Sequence, residues 1–246
     1  GCIMGRYSVE KDGLILADEG TSVEDFRAKV HNALYLPDKD AILPFTDEDD
    51  FSDDLPTAFK KWLQFVSGIH YETNLRWIAE SLGKDLRSYF DKDFYKDHIR
   101  RYKKRPIYWM FSSPKGYFNV LVYLHRYTPD TINRILNSYL KEYIEKLKMY
   151  RTQQEHIEVE GSVTEQNKAR KEIDRINVML DDCMQYETEI LYPLATERIS
   201  LDLDDGVLVN YNKLGSAVAK VDGLNDKKTK EKVRKFDWID TSQIRD

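Results

Sequence analysis

The stretch of this chain best equipped for chemistry is Ser112-Ser-Pro-Lys-Gly116, which offers two hydroxyls, an ammonium and a glycine amide within five residues. Hydroxyls, amides and lysines are the groups that position nucleic-acid phosphates. Just upstream, Lys96 to Arg105 (KDHIRRYKKR) holds six basic residues and one acidic, and His125-Arg126 lies just downstream. Lys103, Lys104, Arg105, Ser112, Ser113, Lys115 and Arg126 are therefore candidate contacts to DNA phosphate, and such contacts make binding strongly salt-dependent. A second run, Lys227 to Lys235 (KKTKEKVRK), also carries six basic residues and one acidic, whereas Asp38 to Asp54 carries eight acidic and one basic. The competing reading of each run is a solvated face. The competing reading of the turn is the end of a structural hairpin whose Trp109 and Phe111 fill the core.

Other chemistry is not encoded in recognisable form. The histidines, at 31, 70, 98, 125 and 156, show no His-x-x-x-His spacing, and no Cys-x-x-Cys occurs, so no metal ligand set is predicted. Neither Gly-x-Gly-x-x-Gly nor Gly-x-x-x-x-Gly-Lys-Ser/Thr is present, and no Gly-x-Ser-x-Gly elbow. The acidic stretch lacks Ca²⁺-loop spacing. No catalytic residue is assigned.

The elements that must position the candidate residues follow from periodicity. After the cap candidates Asp53 and Asp54, Leu55, Phe59, Trp62, Leu63 and Val66 recur at helical spacing. Leu75, Ile78, Ala79 and Leu82 form a second stripe that Gly83 ends. A third helix runs from about Asp85 to Lys104, beneath the first basic run. Ala41 to Phe45 reads as a short strand that Pro44 demotes to an edge or an extended loop. A shorter helix is expected over about Val23 to Leu34. Ile107 to Phe111 and Phe118 to Leu124, around the Ser-Pro-Lys-Gly turn, read as a β-hairpin buried on both faces.

Thr128-Pro129 is expected to open a long helix with the stripe Ile132, Leu136, Tyr139, Tyr143, Leu147 and Tyr150, breaking near His156 to Gly161. The capping box Ser162-x-x-Glu165 starts a second, with Ala169, Ile173, Ile176, Leu180, Cys183, Tyr186 and Ile190. The two should fold back as an antiparallel α-hairpin, and Pro193 should end or kink the second helix. Ile199 to Tyr211 reads as another β-hairpin, with Asp205-Gly206 suited to a type I′ turn, before a short helix and the basic tail.

Composition sets the class. The 246 residues, 41% hydrophobic and 12% aromatic, can build a sizeable core in one large domain or two small ones. A net charge of −5 excludes a uniformly basic nucleic-acid binder while allowing local patches. No apolar run approaches membrane-spanning length and no secretory signal is visible, so no membrane partner is expected. Two cysteines 181 positions apart, Cys2 and Cys183, fit a reducing cytosol. The chain opens Gly-Cys-Ile-Met and is expected to be part of a larger protein.

Several motifs together resemble a known family. Arg105-Pro-Ile-Tyr-Trp109, Ser112-Ser-Pro-Lys-Gly116 and Tyr123-Leu-His-Arg-Tyr-Thr-Pro-Asp-Thr131 are similar to the C-terminal half of BREX phage-defence adenine methyltransferases of the PglX type, and of related type IIG restriction–modification proteins. Gly1-Cys-Ile-Met-Gly-Arg-Tyr-Ser8 resembles that family's glycine-rich stretch after the methyltransferase core. Leu191-Tyr-Pro-Leu194 and Leu203 to Tyr211 resemble its closing segment, so the likeness covers nearly the whole chain. Such enzymes move a methyl group from S-adenosylmethionine to adenine N6, using a cofactor loop and an Asn/Asp-Pro-Pro-Tyr/Phe loop around a flipped base. This sequence has no Pro-Pro pair and no such cofactor loop.

The combined expectation is a mainly α fold with small β-hairpins, an α+β arrangement. Residues 1–127 form a helical part with the aromatic β-hairpin, 128–198 a long antiparallel helical hairpin, and 199–246 a β-hairpin with a basic tail. The resemblance implies a cytoplasmic, non-catalytic module assisting DNA target recognition. Its partners would be double-stranded DNA, the parent's N-terminal methyltransferase core and other defence subunits. The chain itself would hold no cofactor and no metal, S-adenosylmethionine belonging to the parent. The alternative is a protein-interaction module that docks other subunits without touching DNA.

Overall fold

A computed structural model describes residues 40–46, 51 and 54–246. The expected helix over 23–34, the acidic stretch in large part and the Gly1–Ser8 motif lie outside the described residues. A three-stranded antiparallel sheet of order β1–β3–β2 sits between helices: β1 (Ile42–Phe45), β2 (Tyr108–Ser112) and β3 (Asn119–Tyr123). Trp109 opposes Val122 and Met110 opposes Leu121, so the predicted hairpin is present. β1 joins at the edge, as Pro44 requires, with Ile42 opposite Val122.

Alternation along the strands splits the sheet into two apolar faces. Ile42, Trp109, Phe111, Val120 and Val122 form one, packed with Tyr139, Tyr143, Leu180 and Tyr186 of the long helices. Phe45, Tyr108, Leu121 and Tyr123 form the other, packed with Tyr95. All five residues of β3 are buried. The free edge of β2 is covered by the backbone at 218–219, where Ala219 N–H donates to Met110 O (2.8 Å).

Helices α1 (Leu55–Ser67) and α2 (Tyr71–Leu82) follow β1, then a continuous helix α3 over 86–101 with a π-turn at Phe90–Phe94. Asp54 caps α1 through Thr57 N–H (2.8 Å), and Gly83 closes α2 in the left-handed region. The buried Asp54 carboxylate also binds Arg87 of α3 (2.6 Å), and Arg87 reaches Thr46 O (3.0 Å). One ion pair thus ties the starts of α1 and α3 to the end of β1.

The α-hairpin is formed by α4 (131–160) and α5 (163–197), joined at Gly161–Ser162, with the capping box in place. Ile132, Leu136, Tyr139, Tyr143 and Leu147 are buried, as are Ala169, Ile176, Leu180, Cys183 and Tyr186. Three details differ from expectation. The α4 helix begins at Thr131 with Asp130 at its cap, because Thr128 is drawn into a turn by hydrogen bonds to Thr131. It stays helical to Glu160 although its apolar pattern lapses near His156. Pro193 does not end α5: a π-turn at Tyr186–Leu191 shifts the hydrogen-bond register just before it, and the helix runs on to Glu197.

The expected second β-hairpin is absent. Leu203–Asp205 is a 3₁₀ turn and Gly206–Lys213 is helix α6. Its alternation of Val207, Val209 and Tyr211 with Asn210 and Asn212 mimics a half-exposed strand, yet the asparagines are buried. Asn212 donates to Leu208 O (2.7 Å) and Leu224 O (2.8 Å), and Asn210 to Gly206 O (3.1 Å). A helix buried on several sides has no clean 3.6 period to read. Helix α7 (Lys227–Val233) then carries the first four basic residues of the second run.

Aspartate at Leu136 or Ile176 puts an unpaired charge into this core, a cost of several kcal/mol against a domain stability of roughly 5–15 kcal/mol. We expect Leu136→Asp and Ile176→Asp each to abolish the cooperative melt seen by circular dichroism. A melt within a few degrees of wild type would refute the pairing.

Candidate nucleic-acid interface

The predicted phosphate contacts fall into two groups. Leu124 N–H donates to Ile107 O (2.9 Å), which brings the 124–126 turn beside the entry to β2. Lys103, Lys104, Arg105 and Arg126 therefore lie towards the open end of the β2–β3 hairpin. Ser112, Ser113 and Lys115 lie at its closed end, roughly 16 Å away at about 3.3 Å per strand residue.

The closed end is poorly suited to an anion. Ser113 is buried, and its Oγ accepts Phe118 N–H (3.0 Å). The Gly116 amide donates to Ser113 O (2.9 Å), so it is already used. Lys115 N–H donates to Oδ1 of Asp182 (2.8 Å), a carboxylate only 1% exposed that reaches across from α5. A buried acid thus takes the amide beside the glycine amide, and neither is left for a phosphate. Lys115 itself remains exposed, and Ser112 Oγ turns to Ser113 O (3.3 Å).

The open end is different. Lys103, Lys104 and Arg105 are exposed and in no ion pair with another described residue. Lys103 (φ 50°) and Lys104 (φ 62°) both adopt the left-handed region, which costs a non-glycine residue about 1–2 kcal/mol. The turn is held by Lys104 N–H to Ile99 O (2.9 Å) and Arg105 N–H to Tyr102 O (2.9 Å). Two left-handed lysines thus sit where α3 must reverse into β2, and they close the end of the helix.

The basic run is carried on a buried imidazole. His98 Nε2 accepts Tyr108 N–H (3.1 Å), and its ring lies among Phe94, Tyr95, Tyr102 and Tyr108. Burial pushes its pKa down to about 4, so it is neutral within a cationic segment and fastens α3 to β2.

No family model matches the sequence. It is 36% identical over 243 residues to the adenine-specific methyltransferase BrxX of Escherichia coli O9:H4 (strain HS), covering 91% of this chain and 20% of that protein. This chain resembles one fifth of a BREX methyltransferase. It is also 38% identical over 226 residues to the adenine-specific methyltransferase PglX of Lacticaseibacillus casei (strain Zhang), covering 87% of this chain and 18% of that protein. The chain therefore spans about a fifth of the length of the curated relatives it matches.

Within this BrxX- and PglX-like segment, sequence reasoning missed two residues. His98 was legible in principle, since Phe94 and Tyr102 flank it at i−4 and i+4. Asp182 shares a face with Met179 and Tyr186, which also marks it as buried. Neighbouring Cys183 is inert as a nucleophile, burial and Asp182 pushing its thiol up to about 12. Among the described residues no cluster of three or more His, Cys, Asp or Glu could hold a metal, and no helix is long and apolar enough to cross a membrane.

The pH dependence follows from His98. A folded-state pKa below the ordinary 6.5 means the neutral ring stabilises the fold above that pH. This contribution is lost as pH falls from 6.5 towards about 4. We expect the His98 ring proton resonances to titrate near 4, and His98→Gln, whose amide oxygen can accept Tyr108 N–H, to melt with a shallower pH dependence across that window. Titration near 6.5 would overturn the assignment.

Proposed function

We propose that this chain is the C-terminal, non-catalytic part of an adenine-specific DNA methyltransferase of bacterial phage defence, which grips duplex DNA while a separate core transfers the methyl group. One observation carries the reading: identity of more than a third, over some nine-tenths of the chain, to two proteins named adenine-specific methyltransferases. The core would hold S-adenosylmethionine and the flipped adenine, since the 246 residues contain no Pro-Pro pair for the loop that encloses the base. In this reading Lys103, Lys104 and Arg105 touch phosphates and position the duplex without reading its sequence. Arg126 lies towards the same end. Lys115 and Ser112 would serve a more distant phosphate, and Ser113 supports the turn only. The protein would act in the cytoplasm, where its DNA is.

A second reading is favoured by the α-hairpin. Met149, Val159 and Val163 are 70%, 79% and 75% exposed towards its closed end. Apolar side chains so placed suit docking of another defence subunit without DNA contact.

The readings separate by anisotropy of a labelled duplex across a salt series. Lys103→Ala/Lys104→Ala/Arg105→Ala should weaken binding almost equally on unrelated sequences. It should also flatten the slope of log K against log salt by about 0.9 for each phosphate no longer neutralised, at most about 2.7. Unchanged affinity and slope would reject these contacts and favour the α-hairpin. Calorimetry showing micromolar affinity of this chain for S-adenosylmethionine would reject the non-catalytic assignment.

A further inference from the structure

The end of the first basic run meets the loop just before the second, more than a hundred residues away in sequence. A Cβ built on Gly223 would lie 2.8 Å from Lys104 Nζ and 3.1 Å from its Cδ, so the Lys104 side chain lies across this glycine. Gly223 has φ 81°, and its N–H donates to Asp226, the N-cap of α7. The strained turn at the end of α3 therefore abuts the loop that launches the second run.

From Lys220 to Lys235 there are seven basic residues and three acidic. Lys227, Lys228, Lys232 and Lys235 are exposed and in no ion pair with another described residue. The opposite side of α7 is pinned by Val233, buried against Val209 and Ile244, so Lys227, Lys228 and Lys232 face outward, and Lys235 is exposed in the turn that follows. The Asp226 carboxylate takes Thr229 N–H (3.1 Å) and Thr229 Oγ1 (2.7 Å) besides Gly223, which commits it to capping. Arg234 is paired, with Asp246 (2.7 Å). Burial lowers the ammonium of Lys230 below its ordinary value; Asp246 opposes this, while Arg234 and Lys220 add to it. Like charges crowd here without enough acid to balance them.

We propose that α7 extends the surface begun by Lys103, Lys104 and Arg105 into one continuous site for the phosphate backbone of duplex DNA. Lys227, Lys228, Lys232 and Lys235 make the additional contacts. This rests on the reading that the chain grips duplex DNA and adds a second, sequence-remote half to the grip. A polyanion relieves the repulsion among the cations and releases counterions from its own backbone, so each neutralised phosphate shows in the salt dependence. None of the four lysines supports the core, so replacing them leaves the fold intact.

The test uses this chain, a labelled mixed-sequence duplex and anisotropy at several salt concentrations. The variants are Lys227→Ala/Lys228→Ala/Lys232→Ala/Lys235→Ala and, separately, Lys103→Ala/Lys104→Ala/Arg105→Ala, each checked for a wild-type melt. Flattening by about 0.9 per phosphate in both variants, up to about 3.6 in the α7 variant, supports the inference, whereas flattening in the α7 variant alone overturns the continuous surface. Flattening in the 103–105 variant alone overturns the α7 half and leaves the DNA reading standing. No salt-dependent binding by wild type overturns both. Binding of polyglutamate as tight as that of DNA also overturns the proposal, because the surface would then be a general acidic-partner site.

Discussion

Strand β3 has water on neither face, and the rest of the molecule is arranged around that constraint. Five consecutive buried residues leave Val120 and Val122 on one side and Leu121 and Tyr123 on the other, each needing an apolar cover. The α-hairpin supplies one cover and α3 the other, so neither layer is optional. Burial at roughly 25 cal/mol per Å² is what makes two-sided cover favourable for so small a sheet. Backbone groups of the outer strands must then also be satisfied. β1 leaves Pro44 at the edge, and residues 218–219 close the edge of β2.

The polar groups that enter this core join its layers. Tyr211 Oη donates to Ala219 O (2.8 Å) and lies 3.3 Å from Tyr95 Oη, which accepts Met110 N–H (3.3 Å). Since Tyr211 has already given its proton, Tyr95 donates to it. Ala219 N–H then returns to Met110 O (2.8 Å), closing a ring that links α3, β2, α6 and the edge cover. Burial raises both tyrosines above their ordinary pKa, so both keep the proton the ring needs. Tyr186 Oη, in the same core cluster as Tyr211, donates to Ala217 O (2.5 Å). The cover of β2 is therefore held by the α-hairpin and by α6.

Much of this was legible in the residues, and the failures have physical causes. The capping box at Ser162, the Gly83 stop, the Pro44 edge and the aromatic hairpin are local signals, and local chemistry decided each. The stretch 199–211 failed because a period-2 pattern can arise from a buried helix whose asparagine side-chain N–H groups donate to its own carbonyls. The turn at Ser112–Gly116 has a composition that fits both an anion site and the end of a structural hairpin. Its amides go instead to Ser113 O and to Asp182, a partner 67 residues away that no local pattern could supply. Pro193 stands within a helix that runs on to Glu197, with a π-turn at Tyr186–Leu191 just before it.

The distribution of cations follows from the same architecture. A lysine that cannot be paired must stay in water, and a sheet covered on both faces leaves only its ends and the outer sides of its helices. The closed end of the hairpin is already committed, through Asp182, to the α-hairpin. The remaining route from α3 into β2 is a reversal so tight that Lys103 and Lys104 both take left-handed backbone, which throws their side chains away from the core. Across from them stands Gly223, itself left-handed and without a side chain, and the Lys104 stem fills the place a Cβ would occupy. A long stem lying on backbone loses rotamer freedom before any ligand arrives, so less entropy remains to be lost on binding. The left-handed turn at 103–104 and the missing Cβ at 223 thus together let the Lys104 stem lie against the loop that leads to the second basic run.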